Sequence, residues 1–498
     1  MHPSYEGSSS PLKDLDLDCD PARYLPDHDY TNFQIVKASA TRQVAEIARA
    51  GFDLAINLCD GAWEEDRAGI EVVQALERLG VAFTGSGSAF YDPSREAMKM
   101  ASHSVSVDFP AYVTAAANAD VDWAARELRF PLIVKPPRGY SSVGLTRESR
   151  VTSVAALRRE AARMREAYGS ALVEEFIEGR EFTVLVAESR VDDDEAWALQ
   201  PVEFLFPEGE SFKHFDLKWK DYEKLGTRAV EEPLAARLRE ASALTFAALG
   251  GTGYARCDLR MDASGRLYML EINPYCGVFY PEGQFGSADF ILASDPAGHR
   301  GFLEHLIHRA FRRRDRARKA WTLRYRAGRG FGMFAAREIA AGEIVEAYEE
   351  RPQVLVSRQH VKQCWSGLRK EWFERYAWPV SSGVSAMWSE NPEDWRPIDH
   401  SCDPNAWLDG LDLAARRDIS CGEEIAVDYA TFCGPEMAAF ECRCASPRCR
   451  GTIRGTDCLL PEIRERYRDH VSDFIRDCWR REEVHAASAG AGGLHAPA

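Results

Sequence analysis

Two short stretches flanking a tight turn, YARCDLRM and RLYMLEIN on either side of Asp262-Ala263-Ser264-Gly265, restrict the fold of this chain most. Side chains along a strand alternate between faces. If Met261 pairs with Arg266 across the turn, Asp258 lies opposite Met269 and Arg256 opposite Glu271. Arg256, Asp258, Glu271 and Asn273 then share one face, and Cys257, Leu259, Met261, Tyr268, Leu270 and Ile272 form an apolar face that demands cover. Oxygens from an Asp, a Glu and an Asn converging on one surface suit Mg²⁺ held together with a phosphate. On pattern alone, a solvated sheet face with an Arg–Glu cross-strand pair competes with that reading.

The surrounding sequence supplies the cover. VAEIARA-GF-DLAINL reads as helix, glycine stop and buried strand, and GIEVVQALERLG-VAFTGSG repeats that order, so an α/β layer begins near Thr41. Strands are predicted at LIVK (132–135), ALVEEFI (171–177) and EFTVLVAE (181–188), with helices over about 154–167 and 233–249. The loop Arg138-Gly139-Tyr140-Ser141-Ser142-Val143-Gly144 follows the strand ending in Lys135. Its hydroxyls and open backbone N–H groups can fold over phosphates that a nearby lysine neutralises. No Walker loop or complete dinucleotide fingerprint is present.

In these motifs and their order, residues about 50–285 resemble the ATP-grasp fold of the D-alanine–D-alanine ligase branch. The matching stretches are VAFTGSG, IVKPPRGYSSVG, LVEEFIEGREFTV and GYARCDLRMDASGRLYMLEINPYCG. The resemblance implies that Lys99, Lys135 and Lys218 bind ATP phosphates and that Ser141, Ser142 and Gly144 close over them. It implies that Glu174, with backbone around Glu175 to Ile177, holds adenine and that Glu181 holds ribose. Asp258, Glu271 and Asn273 would carry Mg²⁺, and Arg256 would stabilise charge on the reacting carboxyl. Three departures stand out. The family's glycine-rich N-terminal segment has no counterpart before Thr41, its His-Gly reads Asp60-Gly61, and the Ser-Leu that grips the second alanine is missing after Gly277. A carboxylate and an amine other than D-alanine are therefore expected.

Beyond about residue 320 the composition changes to Gly- and Trp-rich short strands. Cys402, Cys433, Cys442, Cys444 and Cys449 fall within fifty residues, a crowding that suggests metal. The CxCx4C run supplies three thiolates where structural zinc wants four, and Cys402, Cys421, Cys433 and Cys458 are all candidates for the fourth. Together with LRYRAGRGFGMF, the run Asp399-His400-Ser401-Cys402 and the run ending in Asp428-Tyr429, this resembles a SET-domain methyltransferase with a post-SET zinc segment over residues about 322–455. The resemblance selects Cys402 beside Cys442, Cys444 and Cys449 as Zn²⁺ ligands. It implies a pseudoknot, an S-adenosylmethionine pocket lined by Gly330, Gly332, Asp399 and His400, Tyr429 at the methyl-transfer channel, and Tyr348 on its lysine side. Asp399 stands where the family has Asn.

The expected whole is a multidomain α/β ATP-grasp half followed by a mostly-β SET domain. Its parts are a disordered lead-in (1–28), the N-terminal α/β part (29–110), a lid subdomain (111–188), a C-terminal subdomain (189–308), a basic solvated linker helix (309–321), SET plus post-SET (322–455), a C-terminal helix (456–485) and a disordered tail (486–498). The expected function is a ligase joined to an amine methyltransferase. The alternative is a protein-lysine methyltransferase whose ATP-grasp half only binds or scaffolds. Small-molecule or peptide carboxylates and amines, or a protein lysine, are the expected partners. With 62 basic against 78 acidic side chains the net charge is −16, which argues against nucleic acid. No apolar run is long enough for a membrane span and no signal peptide is visible, so a cytoplasmic location is expected.

Overall fold

The computed structural model describes all residues except 18, 63–64, 140, 191–194, 318, 349–353, 388–394 and 492–498, with the side chains of 316–317 and 485–491 also excepted. The chain divides into two units, Met1–Ala317 and Arg318–Ala498.

The first unit contains two antiparallel sheets. One runs in the order Tyr112–Ala115, Ala171–Glu175, Leu132–Lys135 and Arg150–Val151. The helices Asn118–Glu127 and Val154–Tyr168 bury Val121, Ala124, Leu157, Ala161 and Met164 against Leu132, Val134 and Val173 of this sheet. The other sheet runs Gly226–Ala229, Val202–Leu205, Arg180–Ala187, Tyr254–Met261 and Leu267–Pro274. Apolar residues alternate along Tyr254–Met261, and the helix Leu234–Ala248 packs on the side carrying Ala255, Cys257 and Leu259. Removing that apolar surface from water holds the layer in place, and the opposite face of the strand pair is left for polar groups.

The hairpin departs from the pairing predicted above. Met261 pairs with Leu267 and Leu259 with Met269, whereas Asp258 pairs with Glu271 and Arg256 with Asn273. Leu270 is thus an unopposed bulge residue, and one extra residue reverses the alternation of its strand. Met269 therefore joins Ile272 in the core, while Tyr268 lies opposite Arg260 instead of on the apolar face. The predicted polar set nevertheless shares one face, because the bulge corrects the one-residue slip at the turn.

Three further expectations need correction. The lead-in 1–28 is packed: Leu12 and Leu25 are buried, Asp20 N–H donates to Phe279 O at 2.8 Å, and the Tyr24 ring stacks on His299 at 4.5 Å. Its Ser/Pro/Asp-rich composition hides these few apolar anchors. The strands read near 53–58 and 81–86 reduce to one parallel bridge, Ala55 to Phe83. The basic stretch closes the helix Gly298–Ala317, where Arg309 and Arg313 pair with Glu188 at 3.5 and 3.3 Å, so its first half is anchored to the first unit and is not a solvated linker.

In the second unit the hairpin Trp321–Arg326/Gly330–Ala335 is extended by Glu424–Val427, which pairs in parallel with Asp399–His400. Trp321, Met333, Ile339, Val345, Leu413, Ile425 and Val427 form its core. Where one C-terminal helix was predicted, two stand, Pro461–Tyr467 and Asp473–Ala491, separated at Arg468 with φ +46°. Tyr467, Val471 and Ile475 pack with Ala430 and Cys458. Of the tail read as disordered, residues up to Ala491 continue the second helix and 492–498 lie outside the described residues. All thirteen cysteines are free of disulfides. Among the described residues no helix is long and apolar enough to cross a membrane.

Candidate functional site

Two of the three lysines singled out in the first unit, Lys99 and Lys135, converge on one carboxylate. Lys99, from the helix Arg95–Ser104, lies 2.6 Å from Glu174 Oε1, and Lys135, at the end of its strand, lies 2.5 Å from Oε2. Burial alone would raise the Glu174 carboxyl, but Lys135 and Lys99 hold it down at about 2. The Glu175 carboxylate points elsewhere and accepts from both the backbone N–H and the guanidinium of Arg129. Ile177 offers its carbonyl to Arg260 at 2.7 Å, and Arg260 also grips Glu181 at 2.8 Å. Lys213 lies 3.2 Å from Glu181. Lys218 makes no ion pair among the described residues. Burial, then the Arg256 and Lys213 charges, pull its ammonium down to about 7.

The hairpin face is a connected polar set. Arg256 clamps Asp258 through two bonds of 3.0 and 2.7 Å, Thr183 donates to Asp258 Oδ1 at 2.8 Å, and Asn273 Nδ2 donates to Glu271 Oε1 at 2.9 Å. Arg95 pairs with Glu271 and also donates to Gly139 O at 2.9 Å, joining this face to the glycine loop. Burial would raise Asp258, yet the Arg256 charge holds it below its ordinary range, and Arg95 and Lys135 do the same for Glu271. Both are therefore ionised carboxylates. Asn273 Oδ1 is buried and has no donor among the described residues. A buried acceptor left open on a face that also carries two ionised carboxylates fits a hard divalent cation such as Mg²⁺.

The loop is docked over this region. Ser142 Oγ donates to Lys213 O and Trp219 Nε1 to Ser141 O, both at 2.8 Å, which ties the loop to the segment carrying Lys213 and Lys218. Ser141 and Ser142 adopt φ near +60°, and Gly144, at φ +82°, has no room for a Cβ beside the Tyr168 hydroxyl. Next to the hairpin, a cavity of about 380 Å³ is lined by Tyr254, Tyr275, Cys276, Gly277 and Tyr280 on one side and by Tyr5, Asp16 and Asp60 on the other. The lead-in thus walls a pocket at the end of the strand that carries Asn273. Tyr5 and Tyr280 both donate to Asp16, and burial pushes Asp60 up to about 6.

The second unit holds a cavity of about 660 Å³ lined by Gly328, Asp399, His400, Glu424, Tyr429 and Phe440, among others. Gly332 abuts its wall, where a Cβ would come 3.1 Å from Glu424 Oε1. Gly330, at φ +90°, opens the strand Gly330–Ala335, and neither it nor Gly332 is among the residues that line the cavity, where Gly328 stands instead. Arg326 donates to Asp399 at 2.6 Å and pairs with Glu424, which balances the charge of Asp399. Tyr429 donates its phenol to Ile398 O at 2.9 Å and its N–H to His400 Nδ1 at 3.2 Å. Burial pushes His400 down to about 4, so the ring is a neutral acceptor. Tyr348 does not line this cavity. Its ring meets Trp378 at 6.4 Å.

Cys402, Cys442, Cys444 and Cys449 bring their sulfurs within 4.8 Å of one another. Amide N–H groups of Cys444, Arg450 and Gly451 point at three of these sulfurs from 3.3 to 3.4 Å. Although burial raises the Cys444 thiol, backbone donors bring it to about 7. Four thiols with amide donors aimed at them fit a closed tetrahedral Zn²⁺ site. Sequence reasoning missed Arg95, Lys213 and Arg260. Each acts through a partner distant in sequence, which periodicity and local motifs do not reveal.

Comparison with known proteins agrees with both halves. A family model described as D-ala D-ala ligase C-terminus matches residues 107–280, and one described as SET domain matches residues 330–430. The D-alanine–D-alanine ligase of Cupriavidus necator is 30% identical over 243 residues, 48% of this chain and 70% of that protein. That of Cupriavidus pinatubonensis is 31% identical over 253 residues, 48% of this chain and 71% of the relative. That of Ectopseudomonas mendocina is 34% identical over 208 residues, 41% of this chain and 62% of its own length. The N-terminal half is thus an ATP-grasp-type ligase fold, and a mostly-β region with a SET domain follows it.

Proposed function

We propose, on the premise that this chain belongs to the D-alanine–D-alanine ligase family, that its first unit joins a carboxylate to an amine using ATP and its second transfers a methyl group from S-adenosylmethionine to an amine nitrogen. The observation that carries the ligase reading is the open Asn273 Oδ1 on the face that also carries Arg256 and the ionised Asp258 and Glu271. Lys99, Lys135 and Lys218 bind the phosphates, and the Ser141–Gly144 loop keeps water from them. Magnesium, when held by Asp258, Glu271 and Asn273, offsets charge on the transferring phosphoryl group. The substrate carboxylate attacks the terminal phosphorus and releases ADP. An amine then displaces phosphate from the acyl phosphate and loses a proton, while Arg256 stabilises the oxyanion. The cavity walled by Asp16, Asp60, Tyr5 and Tyr280 takes the acyl donor. Its lining differs from the family pattern, which supports a substrate other than D-alanine.

In the second unit the acceptor nitrogen attacks the methyl carbon as the carbon–sulfur bond breaks, leaving S-adenosylhomocysteine. Tyr429, fixed by Ile398 O and His400, and the backbone carbonyls of the channel orient the neutral amine in line, so catalysis is chiefly positioning. Zinc on four cysteines would have no open position for a reactant and would hold the channel wall. The test is one mixture of the full chain, ATP, Mg²⁺, labelled methyl donor and a pool of amino acids and peptides, read by mass spectrometry. A condensed product with ADP release, and separately a methyl gain, are expected. Nucleotide binding with no ADP release for any amino acid would instead make the first unit a binding module, and no methyl gain would remove the second activity.

A further inference from the structure

We infer that Arg450 is a positioning residue through which the four-cysteine cluster sets the shape of the methyl-donor cavity. Arg450 follows Cys449, and its backbone N–H donates to Cys402 Sγ at 3.3 Å. Its guanidinium holds the buried Asp428 carboxylate through two bonds of 2.9 and 2.7 Å and lies 3.2 Å from Asp457. Asp428 also accepts from Tyr467 at 3.1 Å and from Ala430 N–H at 3.1 Å. It immediately precedes Tyr429, which lines the cavity with His400, Arg443 and Cys444. Backbone and side chain of one residue therefore bridge the cluster and the cavity wall.

The coupling follows from the energetics of burial. Asp428 is 1% exposed, so its charge requires a partner, and Arg450 supplies two bonds where Tyr467 and Ala430 supply neutral donors. A metal on four thiolates fixes Cys402 relative to Cys449 and carries net negative charge, which favours a guanidinium beside it. With the cluster empty, the anchor of the Arg450 backbone is released. Its side chain can then no longer hold Asp428 and Tyr429 in one place. His400 Nε2, 3.3 Å from Cys402 Sγ, gives a second contact between the cluster and the cavity.

This inference rests on the methyl-donor reading of the cavity, and the test separates the two. S-adenosylmethionine affinity is measured by calorimetry on the full chain in four states: wild type and Arg450→Gln, each zinc-loaded and chelated, with zinc content checked by metal analysis. Chelation is expected to weaken binding to wild type about tenfold, Arg450→Gln with zinc retained to weaken it comparably, and chelation of the variant to add less than about twofold, the non-additivity of a shared path. By reciprocity, saturating S-adenosylmethionine should slow zinc loss from wild type to a chelator. Additive losses, or an Arg450→Gln protein that keeps both affinity and zinc dependence, overturn the inference. The wild-type protection measurement decides alone if the variant does not fold, and absence of protection then overturns it. Zinc-loaded wild type that takes up no S-adenosylmethionine would overturn the reading of the cavity itself.

Discussion

The two candidate centres prepare for their ligands in opposite ways. In the first unit most of the groups proposed to meet phosphates and metal are already paired with charged neighbours: Lys99 and Lys135 with Glu174, Arg256 with Asp258, Glu271 with Arg95. Binding there must exchange partners. In the second unit the four sulfurs face each other with amide donors at three of them, and the nearby Arg450 guanidinium is taken up by Asp428. Binding there adds a charge that was missing. The difference teaches that a pre-paired site is stable when empty, whereas a thiol cluster gains much of its order from the ion it takes.

The comparison can be broken first where the effect is largest. Cys442→Ser should reduce bound zinc from one equivalent to none and lower the unfolding transition of the second unit by more than about 5 °C, given the roughly 10–16 kcal/mol apparent binding energy of structural zinc. Calorimetry with metal analysis checks it, and an unchanged transition would mean that the cluster does not order this unit. Next, Glu174→Gln leaves the buried Lys99 ammonium and the half-buried Lys135 ammonium without their shared carboxylate and should cost about 3 kcal/mol of stability at neutral pH. Because the folded Glu174 carboxyl lies at about 2, below its unfolded value, its contribution is full above the unfolded value and fades as pH falls towards 2. Denaturant titrations of wild type and variant should therefore converge in acid.

Glu271→Gln should lower ADP formation about 100- to 1,000-fold while the thermal transition moves little. Equal loss in both would make Glu271 a structural partner of Arg95 only. The smallest effect concerns Lys218. Its ammonium, at about 7 in the free protein, loses charge as pH rises, so ATP affinity should weaken above pH 7 by less than about tenfold per pH unit, and Lys218→Arg should flatten the profile. Affinity that rises with pH would refute its role at the phosphates.

Much of this was legible in the chain. LIVK, ALVEE and REFTVLVA are strands close to their predicted limits because apolar runs bounded by turns leave little choice. The polar face of Arg256, Asp258, Glu271 and Asn273 and the three thiols of Cys442, Cys444 and Cys449 could be read from spacing, whereas Cys402 was singled out only by the resemblance to the SET family. Other features depended on contacts between distant residues. Nothing local marks Leu270 as the bulge, since the bulge is decided by which partner the turn allows. Composition alone cannot show that Leu12, Tyr24 and Leu25 anchor an otherwise polar lead-in. Lys213 reads as one lysine among many until the fold brings it to Glu181.

The bulge at Leu270 also has a consequence for tinkering with this polypeptide. It decouples the tip of the hairpin from its base, because everything between Leu259 and Met269 keeps its own register. The tip can be lengthened or recut without turning the carboxylates over. Deleting Leu270 alone would rotate one half of the ladder against the other, and either the magnesium oxygens or the greasy underside would end up facing the wrong way. One leucine with no opposite number acts as the hinge pin between two separately editable modules.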